Sequence, residues 1–313
     1  MKLIGTIVFA LSILAPQALQ AGMVLAFDDG YHNWTEVIAP ELAEAGGKAT
    51  AYVNNTRLDG NSITIEELRE LRSRYGWEIA THTYHHHNAT QFVAREGLDT
   101  WLREELQNSL AGLRELGFEP SSLAFPFNSF DDSLRRAALR HVDNVRRREA
   151  LPLAGSRRPD GTIPAAAIDL SAHVPTALLR QWIDTAAERG EHIFLFGHKV
   201  LPDSEFGEFT VKSVSTYALT AERPIDMRVE RGYGHDTCLV PDTERRMDNS
   251  LKVVRIEGDT LQAGRGDLHH HTSEGKRFLV GPCYGTPLSG FRSLIEYATE
   301  RMPFLTVSEA LEE

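Results

Sequence analysis

The sequence AFDDG, residues 26–30, ends an apolar run that begins at Met23. A short apolar run followed by a turn residue such as Gly30 is typical of a buried β-strand. Two adjacent carboxylates, Asp28 and Asp29, therefore lie at the carboxyl end of that strand. The sequence THTYHHH, residues 81–87, follows another strand-like run and is rich in histidine. The two stretches bring carboxylates and imidazoles, which are transition-metal ligands, to the ends of strands.

Strand-like runs alternate with helical periodicity as far as residue 200. The runs are found at residues 23–29, 48–54, 77–83, 121–127 and 192–198. Helices are predicted between them, and the clearest begins at Thr64 with a capping box to Glu67 and ends at Gly76. The alternation predicts parallel strands with right-handed crossovers, in an open sheet or a closed (β/α) barrel. In such barrels the functional residues lie at the carboxyl ends of the strands.

Residues 201–287 break this alternation. Gly, Pro and charged residues are frequent there, and SLKVVRIEGDTLQ predicts a hairpin around Gly258. We therefore predict a β-rich insertion that serves as a lid or groove wall, within a barrel formed by residues 22–200 and 288–313.

The N-terminus has the layout of a secretory signal peptide over residues 1–21. Lys2 precedes an apolar stretch, and small residues lead to a cleavage point after Ala21. An uncleaved anchor is the alternative. Export predicts a secreted or periplasmic protein in an oxidising compartment, where Cys238 and Cys283 would pair. Two buried free thiols are the alternative.

The composition limits which partners the protein is expected to bind. The net charge is −11, and a polyanion such as nucleic acid needs clustered Lys and Arg. The one dense basic run, Arg146 to Arg148, is interpreted as a solvated helix start or loop. No span is predicted to cross a membrane once the signal peptide is removed, and the oligomeric state is left open.

The two ligand-rich stretches together predict a metal site. His82 and His86 are four residues apart, a spacing that brings both imidazoles to one face of a helical turn, and Asp29 would be the third ligand. Such a set with one open position suits Zn²⁺ and also accepts Co²⁺, Ni²⁺ or Fe²⁺. The metal would lower the pKa of a bound water toward about 7, with Asp28 beside it as general base. The alternatives are a His82–His85 pair, a solvated polar loop, or a metal cluster without catalysis.

The chain resembles the polysaccharide deacetylases, carbohydrate esterase family 4, over about residues 23–200 and 288–313. The similar motifs are AFDDG, HTYHH at 82–86, AFPFN at 124–128, LFGHKV at 195–200 and FLTVSEALEE at 304–313. The resemblance implies a deformed (β/α) barrel that removes acetyl groups from an N-acetylated polysaccharide or glycan with a bound metal. It implies that Asp28 is the base and His198 the acid, and that the backbone N–H of Phe127 stabilises the oxyanion. The implied metal ligands are Asp29, His82 and His86.

The chain departs from the family pattern at Ala124, where many relatives have an Arg that pairs with the base. Arg157 or Arg158 is a candidate substitute, and Asp169 is a candidate for the carboxylate that orients His198. An O-acetyl esterase, another amidase, or a glycan-binding protein that has lost activity with this Arg is the alternative function.

Two further groups of residues are ambiguous. Tyr31, His32 and Trp34 follow the first motif and either line a sugar subsite or pack in the core. DLHHHT, residues 267–272, is interpreted as a solvated loop or part of a lid rather than as a second metal site.

Overall fold

The computed structural model describes residues 21–312 except 59, 61, 155–157, 232–235, 242–249, 265–267 and 269–271. The predicted signal peptide therefore lies outside the described residues, apart from Ala21. Most of the DLHHHT stretch also lies outside them.

The first part of the chain alternates strands and helices, as predicted. Its strands are β1 Met23–Asp28, β2 Thr50–Val53, β3 Glu78–Thr81, β4 Ser122–Ala124, β5 Asn144–Arg148, β6 Leu153–Ala154, β7 Thr162–Ala167 and β8 His192–Gly197. Its helices are α1 Ala39–Glu44, α2 Ile65–Tyr75, α3 Ala89–Glu96, α4 Leu98–Trp101, α5 Asn108–Glu115, α6 Asp132–Ala138 and α7 Thr176–Arg189. π-Helical segments precede α1 at Trp34–Ile38 and join α4 to α5 at Leu102–Gln107.

Seven parallel strands of the described chain close into a barrel in the order β1, β2, β3, β4, β5, β7, β8. β8 returns to pair with β1, from Met23 opposite Ile193 to Phe27 opposite Gly197. The short β6 pairs antiparallel with β8. This architecture confirms the predicted deformed (β/α) barrel.

The interior of the barrel is packed mainly with small and aromatic residues. Ala26, Ala80, Ala124 and Phe196 belong to one buried cluster, whereas Leu25 belongs to the cluster that packs against the outer helices. Because side chains alternate along a strand, the residue two positions after an inward-facing residue also faces inward. The inner face of the barrel therefore continues from alanines and Phe196 into polar residues at the carboxyl ends of the strands.

The predicted helix ends are also observed. Thr64 and Glu67 form a reciprocal capping box at the start of α2, and Gly76 ends the helix in the left-handed conformation. α7 likewise ends at a left-handed Gly190.

The second part of the chain contains a β-rich insertion, as predicted. Its strands and the elements that follow are β9 Lys199–Leu201, β10 Gly207–Val214, β11 Ala218–Ala221, β12 Thr237–Pro241, β13 Leu251–Glu257, β14 Thr260–Ala263, β15 Arg277–Pro282, β16 Gly285–Pro287, α8 Leu288–Thr299, β17 Phe304–Leu305 and α9 Val307–Leu311. Strands β10, β11, β14, β13, β12 and β15 form a second, closed antiparallel barrel. The hairpin around Gly258 joins β13 to β14.

The insertion leaves and rejoins the first barrel close to His198. β9 starts at the next residue, and β16 pairs with it in parallel on the way back. Cys238 and Cys283 form a disulfide across the insertion, as predicted. The carbonyl of Cys283 also accepts the backbone N–H of Ser171 at 2.9 Å, which attaches the end of the insertion to the first barrel.

Candidate active site

The carboxylate and the two imidazoles predicted to bind metal meet at the carboxyl end of the barrel. Asp29 directly follows β1, and His82 directly follows β3. Asp29 Oδ1 lies 3.5 Å from His82 Nε2 and 3.0 Å from His86 Nε2. These atoms all lie within 4.8 Å of one another, so one ion can contact all three.

The protonation of two of these ligands suits a divalent metal. His82 Nδ1 lies 2.7 Å from the carbonyl oxygen of Ala124, so Nδ1 carries the hydrogen and the lone pair of Nε2 faces Asp29. Burial lowers the pKa of His82 to about 4, which keeps its ring neutral at pH 7. Burial opposes ionisation of Asp29, but the histidines around it outweigh this effect and hold its pKa far below the usual value. A neutral imidazole and an ionised carboxylate fit a zinc-like cation.

The backbone between the histidines differs from the prediction. The i, i+4 spacing predicts a helical turn, whereas residues 82–87 form an irregular loop before α3. Thr83 and His86 have positive φ angles of 68° and 65°. The backbone N–H of His86 donates to Thr83 Oγ1 at 3.2 Å, which stabilises this loop. His82 and His86 thus converge through left-handed residues and a side-chain hydrogen bond, not through helical periodicity.

Asp28 is buried and paired with Arg146. The guanidinium donates from Nη1 to Oδ1 at 2.5 Å and from Nη2 to Oδ2 at 2.6 Å. Burial would raise the pKa of Asp28, but Arg146, His82 and His198 together bring it below its usual value. Asp28 is therefore ionised at pH 7, and the bidentate pair fixes the orientation of its carboxylate.

The observed position of Arg146 contradicts two predictions made from the sequence. Arg146 to Arg148 belong to strand β5 rather than to a solvated helix start or loop, and Arg146 is only 6% exposed. Neither proposed substitute for the missing arginine is supported, because Arg158 instead pairs with Glu149 and Arg157 lies outside the described residues.

The register of the strands explains how Arg146 takes this role. Arg146 lies directly opposite Ala124 on the neighbouring strand, so both residues face into the barrel at one level. The guanidinium carbon lies 3.9 Å from the ring centre of Phe196 and 5.1 Å from that of Tyr52. Alanine at 124 leaves space there, and the arginine comes from one strand further along the barrel.

His198 is held by Asp169, the carboxylate suggested for this role. Asp169 Oδ2 lies 2.6 Å from His198 Nδ1, and Oδ1 accepts the backbone N–H of His198 at 3.1 Å. His198 Nε2 points toward the metal ligands, 4.0 Å from Asp29 Oδ2. Burial would lower the pKa of His198, but the charges of Asp169, Asp29 and Asp28 raise it to about 9. His198 is thus protonated at neutral pH.

Phe127 lies beside the metal ligands on a turn with unusual backbone. Phe127 and Asn128 have positive φ angles of 59° and 50°, and such angles in non-glycine residues are often found at functional sites. The ring of Phe127 is 55% exposed and meets the ring of His86 edge-on at 4.8 Å. The role of its backbone N–H as an oxyanion donor stays a prediction.

These groups surround one cavity of about 200 Å³. Residues from the first barrel and Tyr284 from the end of the insertion line it: Asp28, His82, His86, Phe125, Phe127, Asn128, Arg146, Arg148, Phe196, His198 and Tyr284. The ring of Tyr284 lies 4.9 Å from that of His198. No sequence pattern pointed to Tyr284, because only the path of the insertion brings it to the cavity.

The residues that follow the first motif have other contacts. Trp34 is fully buried, and its indole N–H donates to the carbonyl of His198 at 2.8 Å, so it packs in the core and offers no face to a sugar. His32 pairs with Glu67. Tyr31 donates its hydroxyl to Asp29 Oδ2 at 3.1 Å, next to the metal ligands.

A comparison with known families gives one match. The family model described as polysaccharide deacetylase matches residues 18–142. Over these residues the chain is similar to the polysaccharide deacetylase family. The matched segment contains Asp28, Asp29, His82, His86 and Phe127 and ends before β5 begins. The resemblance inferred from the motifs is confirmed, and the family supports deacetylase activity.

The solved structures that match this chain include deacetylases and a carbohydrate esterase. A family 4 carbohydrate esterase from Streptomyces lividans in complex with acetate shares 17% identity at a TM-score of 0.40 and covers 58% of this chain and 80% of its own. A peptidoglycan deacetylase from Bacillus subtilis shares 18% identity at a TM-score of 0.36, with coverage of 58% and 76%. A search of curated proteins found no match.

Two findings concern the environment of the protein. The disulfide between Cys238 and Cys283 indicates an extracellular environment. Within the described residues, no helix has the length and apolar character needed to span a bilayer.

Proposed function

We propose that the chain is a metal-dependent hydrolase that removes acetyl groups from an N-acetylated polysaccharide or glycan, in the periplasm or outside the cell. One observation carries this proposal: three groups of residues each contribute side chains to the lining of a single cavity. These are the Asp28–Arg146 pair, the His198–Asp169 pair, and the cluster of Asp29, His82 and His86. Amide hydrolysis needs a proton acceptor, a proton donor and a means of stabilising the oxyanion, and the three groups match these needs.

A Zn²⁺ ion, or Co²⁺, Ni²⁺ or Fe²⁺, would be held by Asp29, His82 and His86. When bound, it supplies a Lewis acid that polarises the acetyl carbonyl and makes water more acidic. The chain's own residues perform the proton transfers.

Asp28 is the proposed general base. Its carboxylate is ionised and held at both oxygens by Arg146, so it can accept a proton from the attacking water without reorienting. The backbone N–H of Phe127, beside His86, would donate to the oxyanion that forms on the acetyl oxygen.

His198 is the proposed general acid. Asp169 binds Nδ1, which leaves the proton on Nε2 directed at the cavity. The C–N bond then breaks as this proton passes to the departing nitrogen, and the products are an amine and acetate. A pKa of about 9 keeps His198 protonated at neutral pH. This favours an N-acetyl over an O-acetyl substrate, because an amide nitrogen is a poorer leaving group than an alkoxide and depends more on protonation.

The size of the cavity bears on the substrate. About 200 Å³ is below the usual range of about 300–1,000 Å³ for small-molecule pockets. The cavity would admit the acetamido group, with the sugar ring across the mouth between Phe127 and Tyr284. Tyr284 belongs to the returning end of the insertion, which supports the role of residues 201–287 as a groove wall.

The ion pair between Arg146 and Asp28 also argues against the alternative function, a glycan-binding protein without activity. That alternative rested on the missing arginine at Ala124, and Arg146 supplies an equivalent contact to Asp28.

The test is acetate release from matched substrates. The zinc-loaded chain should release acetate from N-acetylated glycan oligomers and release less from O-acetylated xylan. Faster release from the ester would favour an O-acetyl esterase. Glycan binding without release from either substrate, with the metal present, would overturn the hydrolytic proposal.

A further inference from the structure

Glu105 is a buried carboxylate that the proposed mechanism does not use. It lies in the π-helical segment Leu102–Gln107, and its side chain is 0% exposed. π-Helical segments are rare and are frequently found at functional sites. Its Oε2 accepts the backbone N–H of His85 at 3.0 Å. A carboxylate at this depth needs compensation for its charge.

Two histidines contact the other oxygen of Glu105. His85 Nδ1 and His87 Nδ1 each lie 2.8 Å from Oε1. Their rings are nearly parallel, with centres 5.3 Å apart. The side chains are 43% and 47% exposed, so an ion from solvent can reach the pair while the carboxylate stays buried.

This cluster has the donors of a transition-metal site. The ligand atoms of His85, His87 and Glu105 lie within 4.8 Å of one another. Two imidazoles and one carboxylate, with a position left for water, form a known zinc ligand set. Metal–ligand bonds of about 2.0–2.1 Å place tetrahedral ligand atoms roughly 3.4 Å apart. The present Nδ1–Oε1 separation of 2.8 Å would therefore widen by about half an ångström, and each ring would move its hydrogen from Nδ1 to Nε2.

The cluster is separate from the candidate active site. Along the loop, His82 and His86 direct their Nε2 atoms at Asp29, whereas His85 and His87 direct their Nδ1 atoms at Glu105. The two sets of imidazoles alternate on one short loop but approach different carboxylates.

We propose that His85, His87 and Glu105 form a second divalent transition-metal site, which binds Zn²⁺ or a similar ion such as Co²⁺ or Ni²⁺. The ion joins the 82–87 loop to the π-helical segment and so stabilises the loop that carries His82 and His86. The proposal does not depend on the proposed catalytic function.

The experiment compares metal binding by full-length variants. The chain is stripped with a chelator, dialysed to equilibrium against Zn²⁺, and its bound zinc is measured by mass spectrometry. His85→Asn/His87→Asn keeps an amide N–H near each Nδ1, so the hydrogen bonds to Glu105 persist without the imidazole ligands. His141→Asn replaces a partly exposed histidine outside both clusters and is the matched control.

We expect the His85→Asn/His87→Asn variant to bind one ion fewer than the wild type, and His141→Asn to bind the same number. Asp29→Asn should also lose one ion, and the triple variant should lose two. An unchanged zinc content in His85→Asn/His87→Asn would overturn the second site. If the His85→Asn/His87→Asn variant loses one bound ion and Asp29→Asn loses none, the result would support the second site and contradict the proposed catalytic metal site.

Thermal unfolding provides a second measurement if a variant folds poorly. In the Asp29→Asn background, added Zn²⁺ should raise the midpoint of unfolding, because an ion that binds only the native state stabilises it. The same addition should give a smaller rise once His85 and His87 are also replaced. An equal rise in the unfolding midpoint, with and without His85 and His87, would show that Glu105 contacts these histidines only through hydrogen bonds.

Discussion

Replacing Arg146 with alanine should destabilise the protein and remove most of its activity. Asp28 is 2% exposed, and Arg146 satisfies both of its oxygens. Without the arginine, burial dominates and raises the pKa of Asp28 well above 3.8, so the carboxyl takes up a proton. A protonated Asp28 cannot accept a proton from water. General-base catalysis contributes about 10²–10⁴-fold, so we expect a loss of at least about 100-fold at pH 7.

The cost in stability follows from the same protonation. Holding a carboxyl of ordinary pKa 3.8 protonated costs about 1.4 kcal/mol per pH unit above that value, or about 4 kcal/mol at pH 7. This agrees with the roughly 3–5 kcal/mol expected for breaking a buried ion pair. In the wild type the lowered pKa of Asp28 stabilises the fold above pH 3.8, and this contribution is lost as the pH falls. Between pH 7 and pH 5 the wild-type contribution stays constant while the cost in the variant falls, so the difference between the two proteins should shrink by about 2.7 kcal/mol.

The assay is urea unfolding of both proteins at pH 7 and pH 5, together with acetate release. Arg146→Lys is the conservative control, since it keeps the charge but loses the bidentate geometry. Ala124→Arg/Arg146→Ala should recover part of both losses, because the two positions are opposite each other on adjacent strands. Wild-type stability and turnover in Arg146→Ala at pH 7 would contradict the role assigned to the Asp28–Arg146 pair.

Three further predictions concern the general acid, the disulfide and the groove wall. Asp169→Asn should lower the pKa of His198 from about 9 to near or below its ordinary 6.5, which moves the alkaline limb of the pH–rate profile to lower pH. The protonated fraction of His198 should fall about 30-fold at pH 8 but little at pH 6. An alkaline limb that does not move would contradict the role of His198 as general acid. The same raised pKa stabilises the wild type fully below pH 6.5 and progressively less as the pH rises through about 9, so Asp169→Asn should lose this contribution in unfolding measurements near neutral pH. Replacing Cys238 and Cys283 by serine opens a link of sequence separation 45, which should cost up to about 4 kcal/mol in unfolding free energy. Tyr284→Ala should raise KM for a glycan oligomer more than it lowers kcat, with Tyr284→Phe as control; equal KM in both would argue against a groove wall.

Local patterns predicted much of the fold. The apolar run before Asp28 and the capping box at Thr64 depend on neighbours in sequence, and both elements formed as expected. The parallel arrangement then brings strand ends together, so Asp29 and His82 could be paired without a structure.

Arg146 could not be predicted in this way. Its strand, Asn144–Arg148, is mostly polar in sequence, and a run of arginines is usually solvated. Arg146 is buried because the strand register places it beside Ala124 and within reach of Asp28. That register is a property of the closed barrel. The loop geometry at His86 was missed for a related reason, because its positive φ depends on a side-chain hydrogen bond to Thr83.

In the proposed mechanism, a divalent metal held by Asp29, His82 and His86 acts together with Asp28, the general base, to hydrolyse an acetyl amide. It is tested most directly by acetate release from an N-acetylated glycan oligomer with wild-type and Asp28→Asn protein, each stripped of metal and then reloaded with zinc. We predict that the stripped wild type is inactive and recovers with zinc, whereas Asp28→Asn binds the same amount of zinc and releases almost no acetate. Full turnover by the stripped wild type, or by Asp28→Asn, would contradict the mechanism.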